Sequence, residues 1–416
     1  MSRRYGKTVY DVLGRNPVHP FPARMAPGIA VHFLTGPRKG LRVLDPMMGS
    51  GTVLALARAN GHKAIGVDLD PLAVLISKVW ITAIIPAEIR RVARKVLGNA
   101  EEKSLKTPLI NAYPANADDE TRRFVRYWFD RRSRTQLTAL SKCIKAVRDK
   151  NIRDVLWCAF SRLIITKQAG VSLAMDLAHS RPHKRFKNSP ITPFSNFLTS
   201  VEQVVSNCVS RRQSLRGPAP IVTGGDARKL EMSDNSVDLV LTSPPYLNAI
   251  DYMRCSKFSL FWMGFSASEV RSLRRQSVGS EIGEYDPTSE CVRIINRLGI
   301  EDRLSRRKRA MLCRFIEDMR ATIAEVSRVL VPGGRAVFVL GDNTVKGVYI
   351  RNSRIVMAAA RDVGLIFQSK SRRTLPPNRR YLPPPSSRNE RIALDARLNR
   401  EVVLSFRKPK QRGLVV

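Results

Sequence analysis

Long apolar runs are missing from this 416-residue chain. No stretch approaches the ~20 residues that cross a bilayer, and no apolar segment of a secretory signal follows Met1-Ser2-Arg3-Arg4-Tyr5. The expectation is a soluble, cytoplasmic protein without a membrane partner. Cysteine is scarce and scattered: Cys143, Cys158, Cys208, Cys255, Cys291 and Cys313 form no Cys-x-x-Cys and no paired Cys/His spacing. That argues against a zinc site and against a disulfide scaffold, so no metal is expected. None of the six follows a proline. Acid is also short: 35 Asp+Glu stand against 72 Lys+Arg, a net charge of +37 and a pI near 10.9. Such a surplus favours a polyanion, with nucleic acid ahead of an anionic membrane surface. The hydrophobic fraction of 43% is that of a globular chain. The length allows one large domain with insertions or two to three ordinary ones, and internal repeats are absent.

What is present starts at residues 41–44, a short apolar strand that runs into Asp45-Pro46-Met47-Met48-Gly49-Ser50-Gly51-Thr52. An Ala/Leu-rich helix over 53–60 and a second strand over 63–67 follow, ending on Asp68-Leu69-Asp70-Pro71. Strand, glycine turn, helix, strand, acid is one βαβ unit. Gly49 and Gly51 let the backbone approach a ligand, the helix start aims its amides at the same place, and the acid suits ribose hydroxyls. Two absences narrow the ligand. No lysine follows Gly51, as a triphosphate loop requires, and Leu54 stands where a dinucleotide fold has its third glycine. S-adenosylmethionine, a nucleoside with an amino-acid tail and no phosphate, fits what remains.

Between residues 77 and 216 the α/β rhythm gives way to helical periodicity over 87–97, 119–129, 136–149 and 152–166. Basic and aromatic residues interleave there, with Arg131 and Arg132 near the centre and Lys184 and Arg185 in an expected loop at 179–187. The sheet resumes at Ile221, and Gly224-Gly225-Asp226 places an acid in a strand-end turn, a candidate for an adenine amino group. Residues 237–241 then form a strand that stops at Ser243-Pro244-Pro245-Tyr246, since proline cannot donate to a ladder. This sets a hydroxyl, rigid carbonyls and an aromatic face at the sheet edge where α/β proteins bind ligands. An aromatic segment and a mobile Arg-rich loop carrying Arg274 and Arg275 are expected within 247–310. After it come a helix over 311–330, a turn at Pro332-Gly333-Gly334 and a strand over 335–340. A helix over 353–363, a strand over 365–369, a Pro-rich turn over 376–385 and a strand over 401–406 complete the chain. The domain reading is 1–78 and 217–416 as two parts of one catalytic α/β domain, around a helical insertion at 79–216 with a candidate role in recognition.

Together these segments resemble the amino-group DNA methyltransferases, enzymes that use S-adenosylmethionine to modify cytosine N4 or adenine N6. Asp45 to Thr52 is similar to the family's cofactor motif. Thr242-Ser243-Pro244-Pro245-Tyr246 is similar to its catalytic motif, in the serine form associated mostly with cytosine N4. The segment from His19 to Arg24 looks like the one preceding the cofactor loop. The resemblance implies a class I methyltransferase sheet of seven mostly parallel strands. It also implies cofactor contacts at Asp45, Pro46, Gly49, Ser50, Gly51, Thr52, Asp68 and Asp226, and a catalytic set of Ser243, Pro244, Pro245 and Tyr246. The partner it implies is DNA, with a cognate restriction endonuclease as a further partner, and the basic residues Arg131, Arg132, Lys184, Arg185, Arg274 and Arg275 are candidates for DNA contact on their charge. Cytosine C5 chemistry is disfavoured because it needs a Pro-Cys thiolate. Adenine N6, an RNA base amine, and a catalytically inactive nucleic-acid-binding protein are the alternatives.

Overall fold

Seven segments, most of them rich in Val, Ile and Leu, pair into one sheet: β1 (Arg42–Asp45), β2 (Lys63–Asp68), β3 (Ile221–Gly224), β4 (Val237–Thr242), β5 (Leu330–Gly341), the polar edge strand β6 (Ile366–Thr374) and β7 (Arg400–Arg407). The computed structural model describes residues 5–22, 24–178, 182–211, 215–247, 252–280, 288–299, 304–345, 348–375 and 400–410. The strand order is β6-β7-β5-β4-β1-β2-β3. Only β7 is antiparallel to its neighbours, while the other contacts are parallel. This is the expected class I methyltransferase sheet. The Pro-rich turn expected at 376–385 lies outside the described residues.

Alternation along the strands sorts the core into two layers. Val43, Leu239, Leu241, Val337 and Val403 point to one apolar cluster; Leu44, Val240, Ala336, Phe338 and Leu404 point to the other. The described residues contain fourteen α-helices: α1 (Val9–Leu13), α2 (Pro27–Leu34), α3 (Thr52–Ala59), α4 (Pro71–Ile81), α5 (Pro86–Leu105), α6 (Asp119–Trp128), α7 (Arg131–Lys145), α8 (Lys150–Ile164), α9 (Pro193–Val205), α10 (Tyr252–Met263), α11 (Ala267–Gln276), α12 (Ser289–Leu298), α13 (Arg306–Val329) and α14 (Asn352–Asp362). The first cluster takes in residues of α2 to α10, so the helical stretch shares a core with one face of the sheet. The second takes in α12, α13 and α14.

Three expectations change. The Arg-rich segment after α10 is not a loop where it is described: it forms α11 and α12. Ser266 and Glu269 close a capping box at the start of α11, and Ala267 and Val270 bury its inner face. Thr288 caps α12. Pro332-Gly333-Gly334 does not precede the fifth strand but lies inside β5. The register there jumps from Val237 opposite Leu330 to Leu239 opposite Arg335, with Gly333 at φ +76. Finally, α1, α4 and α9 went unread in the sequence. The last two start on a capping acid or threonine followed by proline, Asp70-Pro71 and Thr192-Pro193, a helix-opening pair that also reads as a turn.

Candidate active site

The chain runs outward from β1 in one direction through β2 to β3 and in the other through β4 to β5, so a crevice opens between the ends of β1 and β4. Asp45 ends β1 and Thr242 ends β4. The Thr242 hydroxyl donates to Asp45 Oδ1 at 2.7 Å, with both residues buried. The Met47 amide donates to the same oxygen at 3.2 Å. The cofactor-type loop and the Ser-Pro-Pro-Tyr segment therefore share a buried hinge point across the crevice. Thr242→Val, which keeps the shape and removes the donor, should cost about 1–3 kcal/mol because the acid stays buried with one partner fewer. Chemical denaturation measures it, and unchanged stability would show that the bond contributes little.

Past Asp45 the loop turns tightly, with Gly49 at φ +50 and Gly51 at φ +80. A Cβ on Gly51 would lie 2.8 Å from the Ser77 hydroxyl oxygen, so α4 presses directly on the loop. The Ser77 hydroxyl in turn donates to the Gly49 carbonyl at 2.7 Å. Asp68, at the end of β2, accepts from the Gly49 amide at 2.8 Å and from the Asp70 amide at 2.9 Å. Asp70 caps α4 through the Leu72 amide at 2.9 Å and accepts the Ser256 hydroxyl of α10 at 2.5 Å.

These elements border an open cleft of about 910 Å³, counting the solvent at its mouth. Asp45, Pro46, Gly49, Ser50, Thr52, Asp68 and Asp226 line it, and so do Ser243 and Pro245. Gly51 lies beneath the loop rather than on the wall, and Pro244 is buried. Tyr246 is half-buried against the second core cluster and is not part of the lining. Sequence reasoning did not assign Tyr252, Met253 and residues 276–278 to the wall; Phe21 and Arg24 lay only in a segment noted for its likeness. Phe21 stacks on Tyr252 with ring centroids 5.7 Å apart and planes within 10°. No local pattern signals that pairing, because its partners are more than 200 positions apart.

Burial pushes the carboxyls of Asp45 and Asp68 up to about 7, and each is raised further by a neighbouring acid, Asp68 and Asp70 respectively. Burial also raises Asp70. The cleft floor thus holds acids that gain from a ligand bringing hydrogen-bond donors. Asp226 differs. Burial alone would raise it, but the Arg228 guanidinium, 2.6 Å away, takes both its oxygens and leaves it below its usual value. Arg228 also reaches Asp318 at 2.5 Å and the Gln276 carbonyl at 2.6 Å. The hydroxyls of Ser50 and Thr52, also on the wall, are buried without a hydrogen-bond partner. They sit at the start of α3, which has no side-chain cap. Acids together with unsatisfied hydroxyls at a helix start fit a nucleoside with a carboxylate tail.

None of the six basic candidates lines the cleft. Arg131 and Arg132 open α7, and Arg132 reaches the Ser189 carbonyl at 3.4 Å. Lys184 lies over the Tyr127 ring at 5.0 Å, and the Arg185 amide donates to the Leu173 carbonyl. Arg274 and Arg275 fall in the last turn of α11, beside the cleft residue Gln276. Among the described residues no cluster of His, Cys, Asp and Glu is arranged to hold a metal ion, and no helix is long and apolar enough to cross a membrane.

No family model matches the chain. Curated relatives do, three of them as follows. The type II methyltransferase M.MvaI of Kocuria varians is 25% identical over 368 residues, 81% of this chain and 79% of its own. M.AvaI of Nostoc sp. is 23% identical, covering 78% and 73%. M.MjaII of Methanocaldococcus jannaschii is 22% identical, covering 56% and 59%. Among solved structures, a SAM-dependent methyltransferase from Methanosarcina mazei aligns over 92% of this chain and 97% of its own at 8% identity. Its TM-score of 0.33 is too low to carry weight. Relatives of one kind thus cover most of the chain, which is similar in sequence to type II DNA methyltransferases.

Proposed function

We propose that the chain methylates the N4 amino group of cytosine in DNA at Ser243-Pro244-Pro245-Tyr246. The observation that carries this reading is the shared cleft: Ser243 and Pro245 open onto the same wall as Asp45, Ser50, Thr52 and Asp68. When bound, S-adenosylmethionine would supply a methyl group on sulfonium: its C–S bond would break with the electron pair left on sulfur, a C–N bond would form, and the amine would release one of its protons to water.

The chain's own work is position. An exocyclic amine is a poor nucleophile because its lone pair is delocalised into the ring. The Ser243 hydroxyl and the Pro244 carbonyl accept its two hydrogens and turn the lone pair toward the methyl carbon, a gain from preorganised dipoles. Tyr246 stacks on the base, which must leave the duplex to reach the cleft. On the cofactor side Asp68 accepts the ribose hydroxyls and Asp226, kept ionised by Arg228, accepts from the adenine amine. Pro46 and Gly49 leave room for the cofactor's approach, and the hydroxyls of Ser50 and Thr52 meet its carboxylate at the start of α3. The serine at 243 is what favours cytosine over adenine. A restriction endonuclease reading the same site is the partner this reading implies.

Expression in a methylation-deficient host, followed by nucleoside mass spectrometry of its DNA, should reveal N4-methylcytosine. N6-methyladenine in its place would overturn the choice of base, and modified bases confined to RNA would overturn the choice of nucleic acid.

A further inference from the structure

α6 and α11 come from distant parts of the sequence, yet they meet end to end. The Ala267 amide at the start of α11 donates to the Thr121 hydroxyl of α6 at 3.1 Å, and Arg271 pairs with Glu120. The other end of α11 reaches the cleft, where Gln276, Ser277 and Val278 form part of the wall. At ~1.5 Å per residue, α11 spans about 15 Å between the cleft and α6.

α6 is strongly two-faced. Val125 is buried and Phe124 and Trp128 pack inward against Phe258 of α10 at 4.9 and 5.1 Å. Arg122, Arg123, Arg126 and Tyr127 face outward, and the Tyr127 ring is 55% exposed. Two of the three acids on these helices are engaged, Glu120 by Arg271 and Glu269 by the Ser266 cap, and the third, Asp119, is exposed at the start of α6. At the far end of α6, Lys184 lies over Tyr127, and the Leu173 amide donates to the Trp128 carbonyl. This brings the strip bearing Lys184 and Arg185 against the helix. A solvated basic helix face is common on its own. Here, however, exposed cations of two separate insertions sit on helices that join at Thr121 and Ala267, and one of those helices ends at the cleft.

We propose that α11 and α6 form a continuous cationic track that holds the phosphate backbone of duplex DNA leading into the cleft, with Arg275, Arg123 and Arg126 as its phosphate contacts. The inference rests on the reading of the chain as a DNA methyltransferase. Phosphates lie at intervals of ~1.7 Å along the duplex axis, so a track of this length meets several of them, and each neutralised phosphate releases counterions. Contacts of this class orient the duplex and carry no sequence information. Base reading therefore falls to other parts of the chain.

The test measures binding of a fluorescein-labelled, random-sequence 30-base-pair duplex against salt concentration, for the wild-type chain and for Arg123→Gln/Arg126→Gln/Arg275→Gln. All three side chains are exposed, so the triple variant should fold, and cofactor affinity by calorimetry serves as the check. The expected result is a log–log salt slope shallower by about 2–3, with cofactor affinity unchanged. An unchanged slope in the variant overturns the track, as does weaker binding that tracks a loss of cofactor affinity. Wild-type binding with no salt dependence at all would instead overturn the DNA reading on which the track depends. Duplex and single-stranded RNA of the same length serve as competitors: preference for either over DNA also counts against the proposal.

Discussion

Tyr246→Ala should lower kcat/KM for methyl transfer by about five- to hundredfold while cofactor affinity stays within about twofold of wild type. The size follows from the ~1–3 kcal/mol that one base gains by stacking on an aromatic ring. The separation of effects follows from placement. Tyr246 packs on the second core cluster, beyond the cleft wall formed by Asp45, Ser50 and Asp68, so its loss leaves the cofactor side untouched. Tyr246→Phe retains the ring and should restore most of the activity, which separates stacking from the work of the hydroxyl. Steady-state kinetics on a methylatable duplex, with calorimetry for the cofactor, decides the matter. Equal losses of transfer and cofactor binding in the alanine variant would show that Tyr246 supports the site as a whole.

Asp68→Asn should weaken cofactor binding by about ten- to hundredfold, as charge-assisted hydrogen bonds contribute ~1.5–3 kcal/mol each. Asparagine keeps a single acceptor oxygen, enough for either the Gly49 or the Asp70 amide but not both, so stability is measured alongside affinity. Wild type should also show a pH signature that the variant lacks. Burial and the Asp70 charge raise the Asp68 carboxyl to about 7. Ribose hydroxyls donate to the ionised form, so binding must expel a proton at low pH. Affinity should fall about tenfold between pH 8 and pH 6 for one linked proton. The stability of the cofactor-free protein runs the other way. Between the unfolded value of 3.8 and about 7 the folded state holds a proton that the unfolded state has lost, so this group's contribution to stability falls as pH rises. Asp45 titrates in the same range. Its oxygen is committed to Thr242 and Met47, so it belongs to the hinge rather than to the ligand. A variant with the full wild-type pH dependence would move the role from Asp68 to another acid.

The sequence by itself determined the sheet and the chemistry of its edge. Strands of four to six residues are bounded by glycine, proline and acid, and a loop with two glycines at a strand end has few conformations open to it. Those constraints are local, so 42–52, 63–70 and 237–246 could be read directly. The helices over 87–97, 119–129, 136–149 and 152–166 were likewise visible in their periodicity, although their boundaries moved once tertiary packing selected the ends. Arg306 starts the long helix five residues before the apolar pattern does.

Only the tertiary structure decided which distant groups meet. The Thr242–Asp45 bond spans 197 positions and the Ser256–Asp70 bond 186. Phe21 on Tyr252 and Arg228 on Asp226 and Asp318 complete a wall whose parts show no common spacing. The Arg-rich segment after α10 looked like a loop because seven of the ten residues of α11 are polar or charged. Its helix depends on a Ser266–Glu269 cap and on Ala267 and Val270 finding α6 and α10 to cover them. Periodicity fixes what a segment can bury, but burial needs a partner, and the partner here is 146 positions away, at Thr121.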